Sequence, residues 1–495
     1  MEPESTRGPG ISLLPLDERP VNTVLVADVA AIAGVELTTP PADALPRFRE
    51  PADPAAVADW LHARAARGDD LVIALDTLVH GGLIPARTDS LEPAAALARL
   101  AVLRDLRLAG PERTIAAVAL VMRATDSYSP VEEPVYWADH GREIHRLGAA
   151  VHRQWLGEDA RVPELPATIR DDYSARRLRN HIALLASLEL AWSGVVDPLV
   201  ITADDTAQFS AGSAEQEMLA YWQRLRGTDV PVYPGADETG AVLVARVIAQ
   251  RAGLPIRVRV TVGDESGLEL VPSYENVPLR VSVQRQLVAV GATPVDDSPD
   301  LSLVVHTPDP AGGDHFGGTA VSDPEATMRT ADAVDEALAA GAPVALADVR
   351  FGNGGDPALI AELARRGSLE RLAAYAGWNT AGNALGSTLA LGVAAAVGDR
   401  RGTRDLTARR RALQRRLLDD VAYQAIVRAG VTERLGRIDP VPSTETALEE
   451  ERIAEELPRA ARSLGIRVPD PPPVPRLPWS RSFEIDLRFA DERRP

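Results

Sequence analysis

"PLVITADD", residues 198–205, is an apolar run that ends abruptly in two adjacent aspartates. An uninterrupted apolar run of this length is typical of a strand buried on both faces of a parallel sheet. Ligands bind at the carboxyl ends of such strands, where the variable loops meet. Asp204 and Asp205 therefore stand where chemistry is expected, although an aspartate after a strand more often forms a turn or caps a helix.

Similar runs recur along the chain, separated by segments with helical periodicity. This alternation predicts an α/β fold of mostly parallel strands and helices, either TIM-barrel-like or built as two doubly wound lobes. The alternating pattern of "IRVRVTV" predicts an edge strand. The further runs are "ISLLPL" (11–16), "VELTT" (35–39), "LVIAL" (71–75), "TIAAVALV" (114–121), "VPVYP" (230–234), "IRVRVTV" (256–262), "LSLVVH" (301–306), "PVALA" (343–347) and "LAAYA" (372–376).

The pattern divides the chain into three regions. Residues 1–250 form an α/β region of catalytic type, and residues 251–398 a second α/β region that either stands apart or completes the same barrel. Residues 399–495 form a C-terminal helical extension, with helices predicted at 403–430 and 446–465. A stiff proline-rich linker (468–478) and a last strand (482–489) follow these helices.

Composition excludes several classes of function. The net charge of −18 argues against a nucleic-acid partner and against an anionic membrane surface. The chain has no cysteine, and all 53 of its basic residues are arginine, so thiolate, Schiff-base and lysine general-base chemistry are excluded. Acid–base work falls to Asp, Glu, His or Tyr. The polar N-terminal stretch lacks the layout of a secretory signal, so we expect a cytoplasmic protein, and a homo-oligomer stays open.

Polar side chains gather after nearly every predicted strand. In parallel strands these groups share one rim, which would suit a polar uncharged or cationic ligand, or a divalent metal. We therefore expect one pocket that binds a small molecule or a saccharide. The substrate-binding residues predicted in this way are Asp17, Glu18, Arg19, Asp76, Arg123, Tyr128, Asp237, Glu238, Trp378, Asn379 and Asn383.

Asp204 and Asp205 are the predicted catalytic pair. Ser213 and Gln216 have the spacing of a capping box, so the helix after the pair is expected to start there without using either aspartate as its cap. Two carboxylates so close do not ionise independently, and one pKa rises. One of them would then donate a proton near neutral pH while the other stays an anion.

A small, apolar helix is predicted from about residue 381. Its apolar character on all sides predicts burial, and Gly382, Gly386 and Gly392 permit close approach of another backbone. Its cap is predicted at Asn379 or Thr380. The amino end would offer free N–H groups beside an indole face at position 378 that suits a sugar ring.

Five segments form an ordered series of motifs: "LPLDERPVNT", "ALDTLVHGGLIPAR", "ADDTAQFS", "PGADETG" and "AYAGWNTAGNALGSTLALG". In this combination they resemble the bacterial DUF4127 family, which is named for its lack of a known function. The resemblance covers about residues 11–395. It implies one shared framework for these segments and supplies no reaction.

The site type favours a carbohydrate-active hydrolase that uses paired carboxylates and no cofactor. It is similar to substrate-assisted N-acetylhexosaminidases, in which one carboxylate orients the acetamide and its neighbour donates the proton. By this analogy Asp204 orients, Asp205 is the general acid, and Trp378 stacks on the ring.

Two alternatives stay open. The first is a metal-dependent hydrolase, isomerase or lyase with a divalent metal, and the second is a non-enzymatic small-molecule binding protein built from two lobes. The metal ligands would be Asp17, Asp76, Asp204, Asp237 and His80 or His306.

Overall fold

Six parallel strands form the first sheet of the computed structural model, which describes residues 10–437, 439–490 and 492. In spatial order the sheet runs β2-β1-β3-β4-β5-β6. The N-terminal stretch used to predict the location of the protein lies outside the described residues, apart from Gly10. The strands are β1 (Ile11–Leu14), β2 (Leu37–Thr38), β3 (Asp70–Ala74), β4 (Ile115–Val121), β5 (Leu199–Ala203) and β6 (Val232–Pro234).

Five further parallel strands form a second, separate sheet in the order β11-β10-β9-β7-β8. Every predicted strand run holds a strand, and the two sheets match the two-lobe alternative. The edge prediction for "IRVRVTV" is wrong, because β7 pairs with β9 on one side and with the short β8 on the other. The strands are β7 (Ile256–Val262), β8 (Ala292–Pro294), β9 (Leu301–His306), β10 (Val344–Asp348) and β11 (Ala374–Ala376).

Helices connect the strands and continue into the C-terminal region. They are α1 (Val24–Ala33), α2 (Pro54–Ala66), α3 (Leu75–His80), α4 (Leu83–Thr88), α5 (Pro93–Leu100), α6 (Val102–Ala109), α7 (Trp137–Trp155), α8 (Ala167–Trp192), α9 (Ala211–Arg226), α10 (Thr239–Arg251), α11 (Leu279–Val290), α12 (Pro324–Ala339), α13 (Pro357–Arg366), α14 (Ala381–Arg401), α15 (Leu406–Arg416), α16 (Arg428–Leu435) and α17 (Ser443–Ser463). A π-helical segment (Leu417–Val427) joins α15 to α16, and short 3₁₀ turns lie at Glu265–Glu269, Leu369–Arg371 and Pro478–Ser480.

The two sheets share one inner layer of helices. Side chains alternate along each strand, so Val72 and Ala74 of β3 face the core that holds α1, α10, α11 and α14, whereas Leu71 and Ile73 face the outer helices. In the second sheet Leu303 and Val305 of β9 reach the same inner core from the other side. The layers therefore run outer helices, sheet, inner helices, sheet and outer helices.

Helix α14 occupies the centre of the inner layer. It is long and apolar enough to cross a membrane, but its apolar window is entirely buried inside the fold, as expected for a core helix. A Cβ atom at Gly382 would lie 2.1 Å from the carbonyl oxygen of Pro234, and one at Gly386 would lie 2.3 Å from Cγ of Glu238. The glycines thus let α14 approach β6 and α10 closely, and its cap is Thr380, as predicted.

The C-terminal region packs against the outer face of the second sheet and then returns to the first. Leu417, Val421 and Ile453 join the core that covers the outer face of β10. The predicted proline-rich linker is partly wrong, because Val474–Arg476 forms strand β12, which pairs antiparallel with β13 (Asp486–Arg488). Arg415 in α15 donates to Asp28 in α1 at 2.9 Å and so ties this region to the first lobe.

The close approach of α14 predicts a sharp contrast between two glycines. Replacing Gly382→Ala should lower the free energy of unfolding by about 3 kcal/mol, because the backbone carbonyl it meets cannot move aside as a side chain would. Gly240→Ala, in α10, is the matched control, since its nearest neighbour would lie 3.6 Å away and alanine favours the helix. Urea unfolding measures both, and equal stabilities would contradict the packing described.

Candidate functional site

A cavity of about 260 Å³ lies where the carboxyl ends of the two sheets face each other. The first sheet contributes the loops after β1, β4, β5 and β6 together with helix α4 after β3, and the second contributes the segments after β7, β9, β10 and β11. Four guanidinium and six carboxyl groups of the described residues line the wall. The excess of carboxyl groups suits a neutral or cationic ligand better than an anion.

Six of the sequence-predicted residues line this cavity. They come from five separate strand ends, so the structure brings together groups up to 360 positions apart in the chain. The six are Arg19, Arg123, Asp204, Asp205, Asp237 and Asn379.

Asp17 lies behind the wall and holds Arg19 in place. The Arg19 guanidinium donates to Asp17 at 2.7 Å and to Asp237 at 2.5 Å. Asn22 donates to Asp17 at 2.9 Å, and Asn383 accepts from the backbone N–H of Asp237 at 3.2 Å. These residues therefore position Arg19 and Asp237 for the cavity.

The remaining predicted residues lie away from the cavity. Asp76 is partly buried and accepts from the N–H of Leu120, and Glu238 is buried beneath the inner helices. Tyr128 is exposed and donates to Glu143. Glu18 accepts from Trp479 at 2.6 Å.

The indole of Trp378 is buried and does not reach the cavity wall. It packs edge-on against the ring of Phe483, with the two centroids 6.0 Å apart. Phe483 is the aromatic residue of this pair that lines the cavity. Phe483, in the C-terminal region, thus offers the aromatic ring that was predicted for Trp378.

Asp204 and Asp205 follow β5 directly, and neither caps a helix. The predicted capping box is wrong in detail, because α9 begins at Ala211 with Ser210 as its cap, which accepts from the N–H of Ser213 at 2.9 Å. Asp204 accepts from Arg87, and Asp205 accepts from Arg123 at 2.9 Å. The two adjacent carboxyl groups therefore have different arginine partners.

Four residues in the cavity wall have left-handed backbone. They are Asp205 (φ 33°), Tyr274 (φ 67°), Asn353 (φ 60°) and Asn379 (φ 64°). Asparagine and aspartate tolerate this region, but a tyrosine there is strained. The N–H of Asn353 donates to the carbonyl of Asn379 at 2.7 Å, and the N–H of Thr206 donates to that of Tyr274 at 2.7 Å. The surrounding loops thus hold each side chain in its unusual direction.

Glu132 is the centre of the ionic network. Arg87 donates to it at 2.9 Å, Arg123 at 2.6 Å, and Arg481 forms a third, short contact. Glu133 accepts from Arg123 at 3.1 Å. Because each of the three arginines comes from a different part of the chain, Glu132 joins the α4 region, the loop after β4 and the C-terminal region.

The pKa values of the carboxyl groups in the cavity wall shift in opposite directions. Burial, together with the charge of Asp204, raises the pKa of Asp205 to about 6, and Arg123 opposes this only in part. Burial also raises the pKa of Asp237. Burial acts to raise the pKa of Glu132 as well, but Arg481, Arg123 and Arg87 together lower it well below its ordinary value.

The C-terminal region closes one side of the cavity. The Arg481 guanidinium lies 4.6 Å from the ring centroid of Trp479 and 4.9 Å from that of Phe483. The Arg19 guanidinium lies 4.7 Å from the same Trp479 ring, on which it forms a second cation–π contact. Trp479 thus links this region to the loop after β1.

Sequence reasoning missed Arg87, Tyr274, Arg481 and Phe483. Arg87 ends the motif "ALDTLVHGGLIPAR", so its position in that motif was the available signal. Tyr274 and the two C-terminal residues follow no apolar run that would have marked them. Only the tertiary structure brings them to the cavity.

The two histidines proposed as metal ligands lie away from the cavity and from each other. His80 pairs with Asp89 at 2.9 Å, whereas His306 lies in the second lobe and contacts Asp356 at 3.3 Å. Among residues 10–437, 439–490 and 492, no group of three or more His, Cys, Asp or Glu side chains is placed to hold a metal ion. Of the proposed ligands, Asp204 and Asp237 thus line the cavity with Asp17 behind them, whereas Asp76, His80 and His306 lie elsewhere.

Comparison with known families gives one match. The family model described as "Protein of unknown function (DUF4127)" matches residues 11–488. The match includes the C-terminal region, which the sequence resemblance left out. No curated protein and no solved structure matches the chain.

The network around Glu132 predicts a pH-dependent loss of stability on substitution. Glu132→Gln should lower the free energy of unfolding by about 3 kcal/mol at neutral pH, because three buried guanidinium groups lose their shared anion. Since the folded-state pKa is depressed, the difference from the parent protein should be complete above pH 4.5 and shrink as pH falls below it.

The matched control is Glu370→Gln, whose side chain is 65% exposed. It should change stability by less than about 0.5 kcal/mol. Urea unfolding at several pH values measures both variants. A Glu132→Gln difference that grows as the solution is acidified would contradict the assignment.

Proposed function

The chain belongs to the DUF4127 family, and we propose that it is a carbohydrate-active hydrolase whose cavity cleaves a glycosidic bond. The observation that carries the proposal is the placement of two adjacent carboxyl groups, Asp204 and Asp205, with different partners in one confined cavity. Such a pair can supply both a proton and a negative charge to the same bond.

Asp205 is the proton donor in this proposal. Its pKa of about 6 leaves a useful fraction protonated near neutral pH, and 30% of its side chain is open to the cavity. Arg87 donates directly to Asp204, so a positive charge lies beside this second carboxyl group. As in substrate-assisted N-acetylhexosaminidases, Asp204 would orient the acetamide that attacks the anomeric carbon, while Asp205 protonates the departing oxygen.

The rest of the wall offers groups that a sugar needs. Asn353 and Asn379 present amides to hydroxyl groups, and Tyr274 presents a phenol. Phe483 and Phe316 offer apolar ring faces for the C–H side of a pyranose. Tyr274 and Phe483 thus take the substrate-binding roles that the sequence analysis gave to Tyr128 and Trp378.

The proposal includes a small saccharide as the ligand, no cofactor and a cytoplasmic location. The excess of carboxyl groups in the wall supports a neutral sugar over a phosphorylated one. The volume of the cavity supports a ligand of one or two sugar units, since larger ligands need larger pockets.

A comparison of leaving groups tests the role of Asp205. On alkyl N-acetylhexosaminides and alkyl hexosides, the parent enzyme should lose kcat/KM as pH rises above about 6, because the general acid loses its proton. Asp205→Asn should lower kcat about 10³-fold on alkyl glycosides, which need protonation, and far less on nitrophenyl glycosides, which do not. Asp204→Asn should lower kcat on both kinds of substrate.

Asp297→Asn is the matched control, since Asp296 and Asp297 form another adjacent pair and the side chain of Asp297 is 99% exposed. It should leave turnover unchanged. Failure of the parent enzyme to cleave any glycoside in the panel would refute the proposed reaction. An equal loss on alkyl and nitrophenyl substrates in Asp205→Asn would refute its role as the acid.

A further inference from the structure

Helix α9 carries an exposed apolar stripe on the surface of the first lobe. Met218, Tyr221, Trp222 and Leu225 are 40%, 59%, 43% and 68% exposed. They follow the i, i+3, i+4, i+7 spacing, so all four lie on one face of the helix. The opposite face packs inward through Leu219 and Gln223. The stripe therefore points directly away from the protein, where a solitary surface helix would normally be polar.

Helix α7 extends the stripe on one side. Trp155 is 52% exposed, and its ring lies 6.1 Å from that of His152. His152 in turn contacts Glu217 of α9 at 3.2 Å. Val151 and Leu156 of the same helix end are each 50% exposed. Two neighbouring helices thus present apolar side chains together, and a patch of this kind marks an interface.

Charges border the stripe in a self-complementary way. Glu217 and Arg224 are seven residues apart, or about two turns, so they lie on the same side of the stripe near opposite ends of α9. About half of the Glu217 side chain is exposed. Arg224 is exposed and has no carboxylate partner within the described part of the chain. A helix with an anion at one end and a cation at the other complements an antiparallel copy of itself.

We propose that α9 is the centre of a two-fold interface between two copies of this chain. The two α9 helices pack antiparallel, and the four apolar side chains of one copy cover those of the other. Glu217 of each copy then meets Arg224 of its partner, which forms two equivalent ion pairs. The partner is a second copy because the negative and positive ends of α9 pair with each other when two copies pack antiparallel. An unrelated surface would carry this arrangement of charges only by chance.

Sedimentation velocity over a wide concentration range tests the interface with the full-length chain. The parent protein should sediment as a species of twice the chain mass. Leu225→Glu should weaken dimerisation by about 100-fold or more, because each dimer loses two buried leucines and gains two buried charges. Leu108→Glu is the matched control, since this leucine is 79% exposed on α6, and it should leave the dimer intact.

Charge reversal in two separate variants tests the antiparallel register. Glu217→Arg and Arg224→Glu should each weaken their own homodimer about tenfold, because each places like charges opposite one another. An equimolar mixture should regain the affinity of the parent protein, because both ion pairs reform in the mixed dimer, one with its original sign and one with reversed sign. Thermal melting of each variant establishes that it folds.

Three results would overturn the proposal. The first is a parent protein that stays monomeric at every concentration, and the second is a dimer that Leu225→Glu leaves intact. The third is a mixture of the charge variants that binds no better than the separate variants. None of these outcomes depends on the reaction proposed for the cavity, since dimerisation is measured without substrate.

Discussion

The close packing of α14 against β6 and α10 is the constraint on which the site depends. At Gly382 the helix backbone approaches the carbonyl of Pro234 more closely than any side chain would allow. This contact joins the start of α14, which follows the last strand of the second sheet, to the end of β6 in the first. Because the carboxyl ends of both sheets meet there, loops from two lobes can share one cavity.

Because so many strand ends meet at the cavity, six carboxyl groups lie close together there, and arginine side chains offset their negative charge. A chain without lysine must balance its buried carboxylates with guanidinium groups, and the planar fork of arginine can bind more than one carboxylate at a time. Arg123 does this with Glu132, Glu133 and Asp205. The arginines of the network lower the pKa of Glu132, whereas burial and the charge of Asp204 raise the pKa of Asp205 against the opposing charge of Arg123.

The fold was largely predictable because apolar runs mark buried strands wherever they occur. The prediction failed where tertiary pairing sets the outcome, as at β7, whose neighbour β8 is a three-residue strand with no apolar run of its own. The same limit applies to the site. Asp204 and Asp237 each follow a predicted strand run, so their position at a strand end could be predicted from the sequence. Arg481 reaches the cavity only because α15 to α17 carry the chain across the second lobe. The spacing of residues in the sequence does not indicate that the C-terminal region packs back against the cavity.

Backbone strain gives an independent reason to regard the cavity as functional. Left-handed Tyr274 costs the fold free energy, and neighbouring loops hold it there through the bond from Thr206 to its carbonyl. Thr206 follows the aspartate pair directly, so the same bond that holds Tyr274 also fixes the loop of Asp204 and Asp205. A turn that only connected β5 to α9 would not need a hydrogen bond to Tyr274 in the second lobe. The strained residue and the paired acids are therefore parts of one rigid arrangement, as expected where side chains must be positioned before a ligand arrives.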